Sequence, residues 1–145
     1  MAVLEEVTDA EYQSLSEFRY QIRRFLHFSE RAARAAGLEP QQHQLLLALR
    51  GAANSNEPPS IGTLAERLQI QHHSTVELVD RLVERGLVSR SRAPSDRRQA
   101  IVRLTARGEA ELEKLAKTHL EELRSNGPAL VEALTAAIRG THGRN

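Results

Sequence analysis

Between Ser89 and Arg107 the sequence SRSRAPSDRRQAIVRLTAR carries Arg90, Arg92, Arg97, Arg98, Arg103 and Arg107 against one acid, Asp96. A guanidinium is permanently charged, and its planar fork matches phosphate oxygens. Such a run is the footprint of a polyanionic partner or, more blandly, a solvated charged face. Just upstream stand Gln71, His72, His73, Ser74 and Thr75, whose neutral side chains both donate and accept hydrogen bonds. That chemistry suits base edges and phosphates alike. Glu77 and Arg81 follow one helical turn apart, so Glu77 has two roles open to it: accepting from a cytosine amino group, or pairing with Arg81.

The net charge of +1 hides a segregation: residues 1–60 sum to −2, residues 61–107 to +4 and residues 108–145 to −1. Other chemistries lack their residues. There is no cysteine, which removes disulfides, thiolate metal ligands and thiol redox switching. His72 and His73 are adjacent and splay apart on a helix, while His27, His43, His119 and His142 show no i,i+4 pairing, so neither a metal nor a cofactor is expected. No phosphate-cradling glycine loop or nucleophile motif argues for an enzyme.

These side chains need a scaffold, and 145 residues suffice for a single domain spanning 1–145 with its own core. The composition is 40% hydrophobic and 27% charged, and apolar runs such as Leu45–Leu49 are too short to cross a bilayer. The start, MAVLEEVTDAEYQ, is acidic and lacks the order of a secretory signal, so a soluble, cytoplasmic protein without a membrane partner is expected.

Thr8 and Glu11 have capping-box spacing, and Leu15, Phe18, Ile22 and Phe25 recur at helical steps, which predicts a long helix ending near Gly37. Pro40 opens a second helix, Gln41 to about Arg50. Ser60 caps a short helix with Leu64, Ala65 and Leu68 on its apolar side, and Gln69, Ile70 and Gln71 make a turn. A fourth helix runs from His72 to Arg85, with Val76, Val79 and Val83 beside Leu78 and Leu82, and closes at Gly86. The period then falls to two through Arg92 and again from Ala100 to Leu104, around a Pro-Ser-Asp turn at 94–96, which predicts a hairpin. Thr105 caps another long helix, expected to break at Asn126-Gly127-Pro128 before a last helix, Ala129–Arg139. The predicted fold is mainly α with a small two-stranded β wing.

The stretch from Ile61 to Gly108 resembles the DNA-binding core of the MarR family of bacterial regulators, on LAERL, LVDRLVERGLV, DRR and LTARG. The resemblance implies a winged helix-turn-helix lobe over 41–107 and an obligate homodimer, its helices within 8–37 and 108–145 intertwined. It implies a sequence-specific transcriptional regulator that binds double-stranded DNA at an inverted repeat; a repressor is expected, with activation left open by the sequence. The reading helix would present Gln71, His72, His73, Ser74, Thr75, Glu77 and Arg81 to the major groove. Asp96 would orient Arg98, Arg97 and Arg98 would enter the minor groove, and Arg90, Arg92 and Arg103 would meet phosphates. Glu77 departs from the basic or small polar residue that relatives often carry there.

The same resemblance implies a pocket for a small aromatic or phenolic effector, for which Arg24, His27, Phe28 and His43 are candidate lining residues. The absence of Trp and Cys disfavours the urate-responsive and peroxide-sensing branches. The alternative is a helical protein-interaction module without specific DNA binding, for which a basic hairpin has no evident use.

Overall fold

A computed structural model describes residues 5–53, 58–92 and 100–140. The order is α1 (Asp9–Ala35), α2 (Pro40–Gly51), α3 (Ile61–Leu68), α4 (His72–Glu84), β1 (Val88–Arg92), β2 (Ala100–Leu104) and α5 (Ala106–Arg139). Among the described residues no helix is long and apolar enough to cross a membrane. The contacts divide the chain into two compact units: Ala32–Lys117, and the stretch up to Arg31 together with that from Thr118.

In the unit Ala32–Lys117 the elements begin and end where local chemistry dictates. Leu38 N–H reaches back to Ala33 O at 2.9 Å across Gly37, whose φ of 82° is left-handed. Leu87 N–H does the same to Leu82 O at 3.0 Å across Gly86, φ 74°. Both are Schellman-type closures, in which a residue free of Cβ strain lets the chain turn and the orphan carbonyls find donors. Ser60 Oγ accepts Thr63 N–H at 3.2 Å to start α3, and Thr105 Oγ1 accepts Gly108 N–H at 3.0 Å to start α5. Between α3 and α4 the left-handed residue is Gln69, φ 56°, whose Nε2 donates to Glu66 O at 2.8 Å.

The core of this unit is aliphatic: Leu45, Leu46, Leu64, Val79, Leu82 and Val102 are fully buried. The hairpin pairs β1 and β2 antiparallel, with Val88 opposite Leu104, Arg90 opposite Val102 and Arg92 opposite Ala100. Ser60 forms a β-bridge to Ile101, and Val102 N–H donates to Pro59 O at 3.3 Å, so β2 lies between β1 and the entry to α3. On α4 the core face is Thr75, Leu78, Val79 and Leu82, whereas Val83, expected among the apolar positions, is exposed.

In the other unit, α1 opens on the expected capping box: Thr8 Oγ1 accepts Glu11 N–H at 3.1 Å and Glu11 Oε1 accepts Thr8 N–H at 2.9 Å. His119 Nε2 and Ser29 Oγ are 2.7 Å apart, and the imidazole stands edge-on to Phe25 and Phe28 at 6.1 and 5.5 Å between centroids. The expected break at Asn126-Gly127-Pro128 is absent: α5 runs through Pro128 to Arg139. A proline normally expels its predecessor from the helical region by clashing with that residue's Cβ, and Gly127 has none. Asn126 Nδ2 donates to Glu122 Oε2 at 2.8 Å one turn back, so its side chain does not cap a new helix.

Candidate nucleic-acid interface

Helix α4 presents its amino-terminal turn to solvent because its opposite side is locked into the aliphatic core. Gln71, His72, His73, Glu77 and Arg81 are exposed, and Ser74 is half-buried. Gln71 is the N-cap, and its side chain makes no capping bond, so the amide remains presented. Thr75 corrects the expectation. It is 0% exposed, and its Oγ1 donates to Gln71 O at 2.9 Å. Residue 75 falls one turn before Leu78 and Val79, on the stripe that faces the core, and so cannot reach a ligand outside. No ion pair joins Glu77 to Arg81 among the described residues.

The strand arginines divide by the pleat. Residues directly opposite each other share a face and successive residues alternate. Arg90 and Arg92 therefore lie on the face of Val102 and Ala100, while Arg103, paired with Ser89, lies on the other. All three are exposed. Arg90 is held inside the unit: its Nη1 donates to the Asp80 carboxylate on α4, an ion pair that the expected row of three phosphate-seeking arginines did not include. Arg103 lines a shallow cleft with Arg50, Pro59 and Glu109, in which Arg50 Nε is 3.4 Å from Glu109 Oε1. Asp96, Arg97 and Arg98 lie outside the described residues.

Three residues outside the expected DNA-contacting set organise this surface. Asp80 restrains Arg90. Arg85 donates through Nη1 to Gly37 O at 2.6 Å and Gln42 Oε1 at 3.3 Å, and Arg107 Nη1 donates to Arg85 O at 3.3 Å. These bonds join elements distant in sequence, so no local spacing announces them.

The four residues considered for an effector pocket do not gather within either unit. Arg24 is exposed, its guanidinium 5.8 Å from the Tyr20 ring centre, and lines a small cleft with Gln21, Phe25 and Leu123. His27 is exposed and Phe28 packs on His119. His43 belongs to the other unit and is 2% exposed, with Nδ1 3.3 Å from Gln44 Nε2. Among the described residues no group of three or more His, Asp or Glu could hold a metal ion.

The family model described as MarR family matches residues 36–99, which hold α2, α3, α4 and β1. An uncharacterized HTH-type transcriptional regulator, YcgE of Bacillus subtilis (strain 168), is 33% identical over 119 residues, covering 80% of this chain and 68% of that protein. The chain belongs to the MarR family. As a MarR-family member it is a transcriptional regulator with a DNA-binding winged helix, and not an enzyme. Solved structures of MarR-family proteins share its fold. AbsC from Streptomyces coelicolor superposes with a TM-score of 0.76 at 22% identity, covering 96% of this chain and 94% of that one. A mutant MarR from E. coli complexed with operator DNA gives 0.65 at 23% identity, covering 83% and 89%. In this MarR-family chain, α3 and α4 are the helix-turn-helix and β1 with β2 the wing.

Proposed function

We propose that this protein is a repressor that binds an inverted-repeat operator as a homodimer and is released from it by a small aromatic or phenolic ligand. One observation carries the DNA reading: the amino-terminal turn of α4 offers Gln71, His72 and His73 to solvent in the same compact unit as a hairpin bearing Arg90, Arg92 and Arg103. A helix fits the major groove, where each base pair shows a distinct donor and acceptor pattern, and its amino-terminal side chains read base edges. Ser74, Glu77 and Arg81 flank those readers, Arg92 and Arg103 meet phosphates, and Asp96 orients Arg98 as Arg97 and Arg98 enter the minor groove. The winged helix-turn-helix lobe spans 41–107.

The homodimer reading rests on apolar surface. On α5, Leu120, Leu123, Val131, Leu134 and Ile138 are exposed, Val131 at 64% and Ile138 at 75%, and on α1 so are Tyr12, Leu15, Tyr20 and Leu26. Large apolar side chains exposed in this number suit a protein interface, and the segments 8–37 and 108–145 supply them. Arg24, His27, Phe28 and His43 are the candidate contacts for an effector. That ligand releases DNA if it binds the arrangement in which the two reading helices no longer match half-sites about 34 Å apart.

Fluorescence anisotropy against short duplexes from the upstream region of its own gene, at two salt concentrations, tests the reading. Tight, salt-sensitive binding to an inverted repeat, lost in Arg98→Ala with the fold intact, is expected. Equal, weak binding to every duplex would remove the operator-binding role.

A further inference from the structure

Four helix ends meet at the Arg85–Gly86 corner within the unit Ala32–Lys117, two of them held by the Arg85 side chain and one by the backbone carbonyls of Arg85 and Gly86. Arg85 immediately follows α4. Its Nη1 donates to Gly37 O, in the turn that closes α1, at 2.6 Å, and to Gln42 Oε1, in the first turn of α2, at 3.3 Å. Gln42 is buried, and the same Oε1 accepts Glu39 N–H at 3.0 Å, so the amide is fixed before the arginine reaches it. From the other side, the start of α5 grips the same corner. Arg107 Nη1 donates to Arg85 O at 3.3 Å and Thr105 Oγ1 to Gly86 O at 2.7 Å. No carboxylate pairs with Arg85 among the described residues, so its charge is committed to two neutral oxygens. Charge-assisted bonds of this kind are shorter and stronger than neutral ones.

We infer that Arg85 is a positioning residue that aims the reading helix, an inference that rests on the proposal that α4 reads DNA. Helix α4 has 13 residues, which at 1.5 Å per residue makes it about 20 Å long. Arg85 anchors one end, and the side chains that read bases, Gln71 to His73, stand at the other. A tilt of about 10° at the anchored end carries the reading end about 3 Å, comparable to the rise of one base pair, ~3.4 Å. Two-fold symmetry applies the same displacement in both protomers and changes the half-site separation the dimer fits. Arg85 therefore governs half-site spacing without touching DNA. Arg107 and Thr105 set the corner in which it works, and Arg85 itself carries the link to α1 and α2.

The test is anisotropy binding of the full chain to inverted repeats whose half-site spacing is varied one base pair at a time, each across a salt series. The parent binds one spacing best. Arg85→Ala is expected to weaken binding at that spacing by roughly tenfold, as the loss of a charge-assisted bond implies, and to flatten or shift the spacing preference. The slope of log affinity against log salt stays at the parent value, because no phosphate contact is lost. Arg85→Lys keeps the charge but cannot reproduce the planar two-acceptor grip, and is expected to fall between. If Arg85→Ala melts below the assay temperature, Arg85→Lys decides on spacing preference alone.

A uniform loss at all spacings with the slope reduced by about 0.9 would make Arg85 a phosphate ligand and overturn the inference. Parent-like affinity and spacing preference in a folded Arg85→Ala would overturn it as well. A parent that binds no repeat preferentially would remove the DNA-reading proposal and this inference together, an outcome seen before any variant is made.

Discussion

Arg90 on β1 donates to the carboxylate of Asp80 on α4, so the first strand of the wing is tied to the second half of that helix by one ion pair. The two side chains are 39% and 52% exposed, and pairs so open to water contribute at most about 1 kcal/mol. Their value lies in where they hold the guanidinium.

Asp80→Ala is accordingly expected to change the urea midpoint little, a loss below about 1 kcal/mol. With its partner gone, Arg90 adds one cation to those that displace counterions from DNA, and the salt slope of operator binding steepens by about 0.9. An unchanged slope in Asp80→Ala would show that Arg90 does not reach phosphate.

Gly108→Ala is expected to be severe. A Cβ there would sit 2.0 Å from Leu87 O and 3.2 Å from Leu104 Cδ2, against backbone that cannot swing aside. Either the first turn of α5 or the Gly86–Leu87 corner must move, which breaks the Thr105 cap and costs roughly 3 kcal/mol or more. Denaturant unfolding of the variant measures this, and a loss under about 1 kcal/mol would contradict the close approach.

Pro128→Ala is expected to stabilise the protein, since it restores an N–H inside a continuous helix and removes the ring. An interior proline costs about 3 kcal/mol relative to alanine, part of which Gly127 has relieved, so a gain of about 1–2 kcal/mol in thermal or urea unfolding follows. A loss of stability would mean that the proline helps α5 by shaping it.

Val131→Asp and Ile138→Asp place charge on the most exposed apolar positions of α5. In the isolated protomer both should be harmless, as surface substitutions are within about 0.5 kcal/mol. If that surface is the dimer seam, sedimentation equilibrium will show the double variant as a monomer at concentrations where the parent is a dimer. Because operator affinity depends on both half-sites, it should fall in step. A dimeric double variant would move the interface elsewhere.

Features written within a few residues of chain were legible without coordinates. Thr8 with Glu11, Ser60 and Thr105 announced helix starts through donors and acceptors three residues apart, and Gly37 and Gly86 announced ends through backbone freedom. The change from helical to alternating period at Gly86 placed the hairpin, and the motifs from Ile61 to Gly108 placed the family. All these rest on interactions between near neighbours, which spacing determines.

What escaped depended on partners far along the chain. Thr75 had the chemistry of a reader, but α4's rotation against Leu78, Val79 and Leu82 turned it inward. Arg90, Arg92 and Arg103 shared a charge, yet strand register put Arg103 on the opposite face, and a one-residue slip would have reversed that assignment. Asp80 took Arg90, and Gly37 and Gln42 took Arg85, through bonds spanning 10 to 48 residues. Residue type and local spacing say what a side chain can do. Which surface it faces and which partner it meets emerge only as packing brings distant segments together.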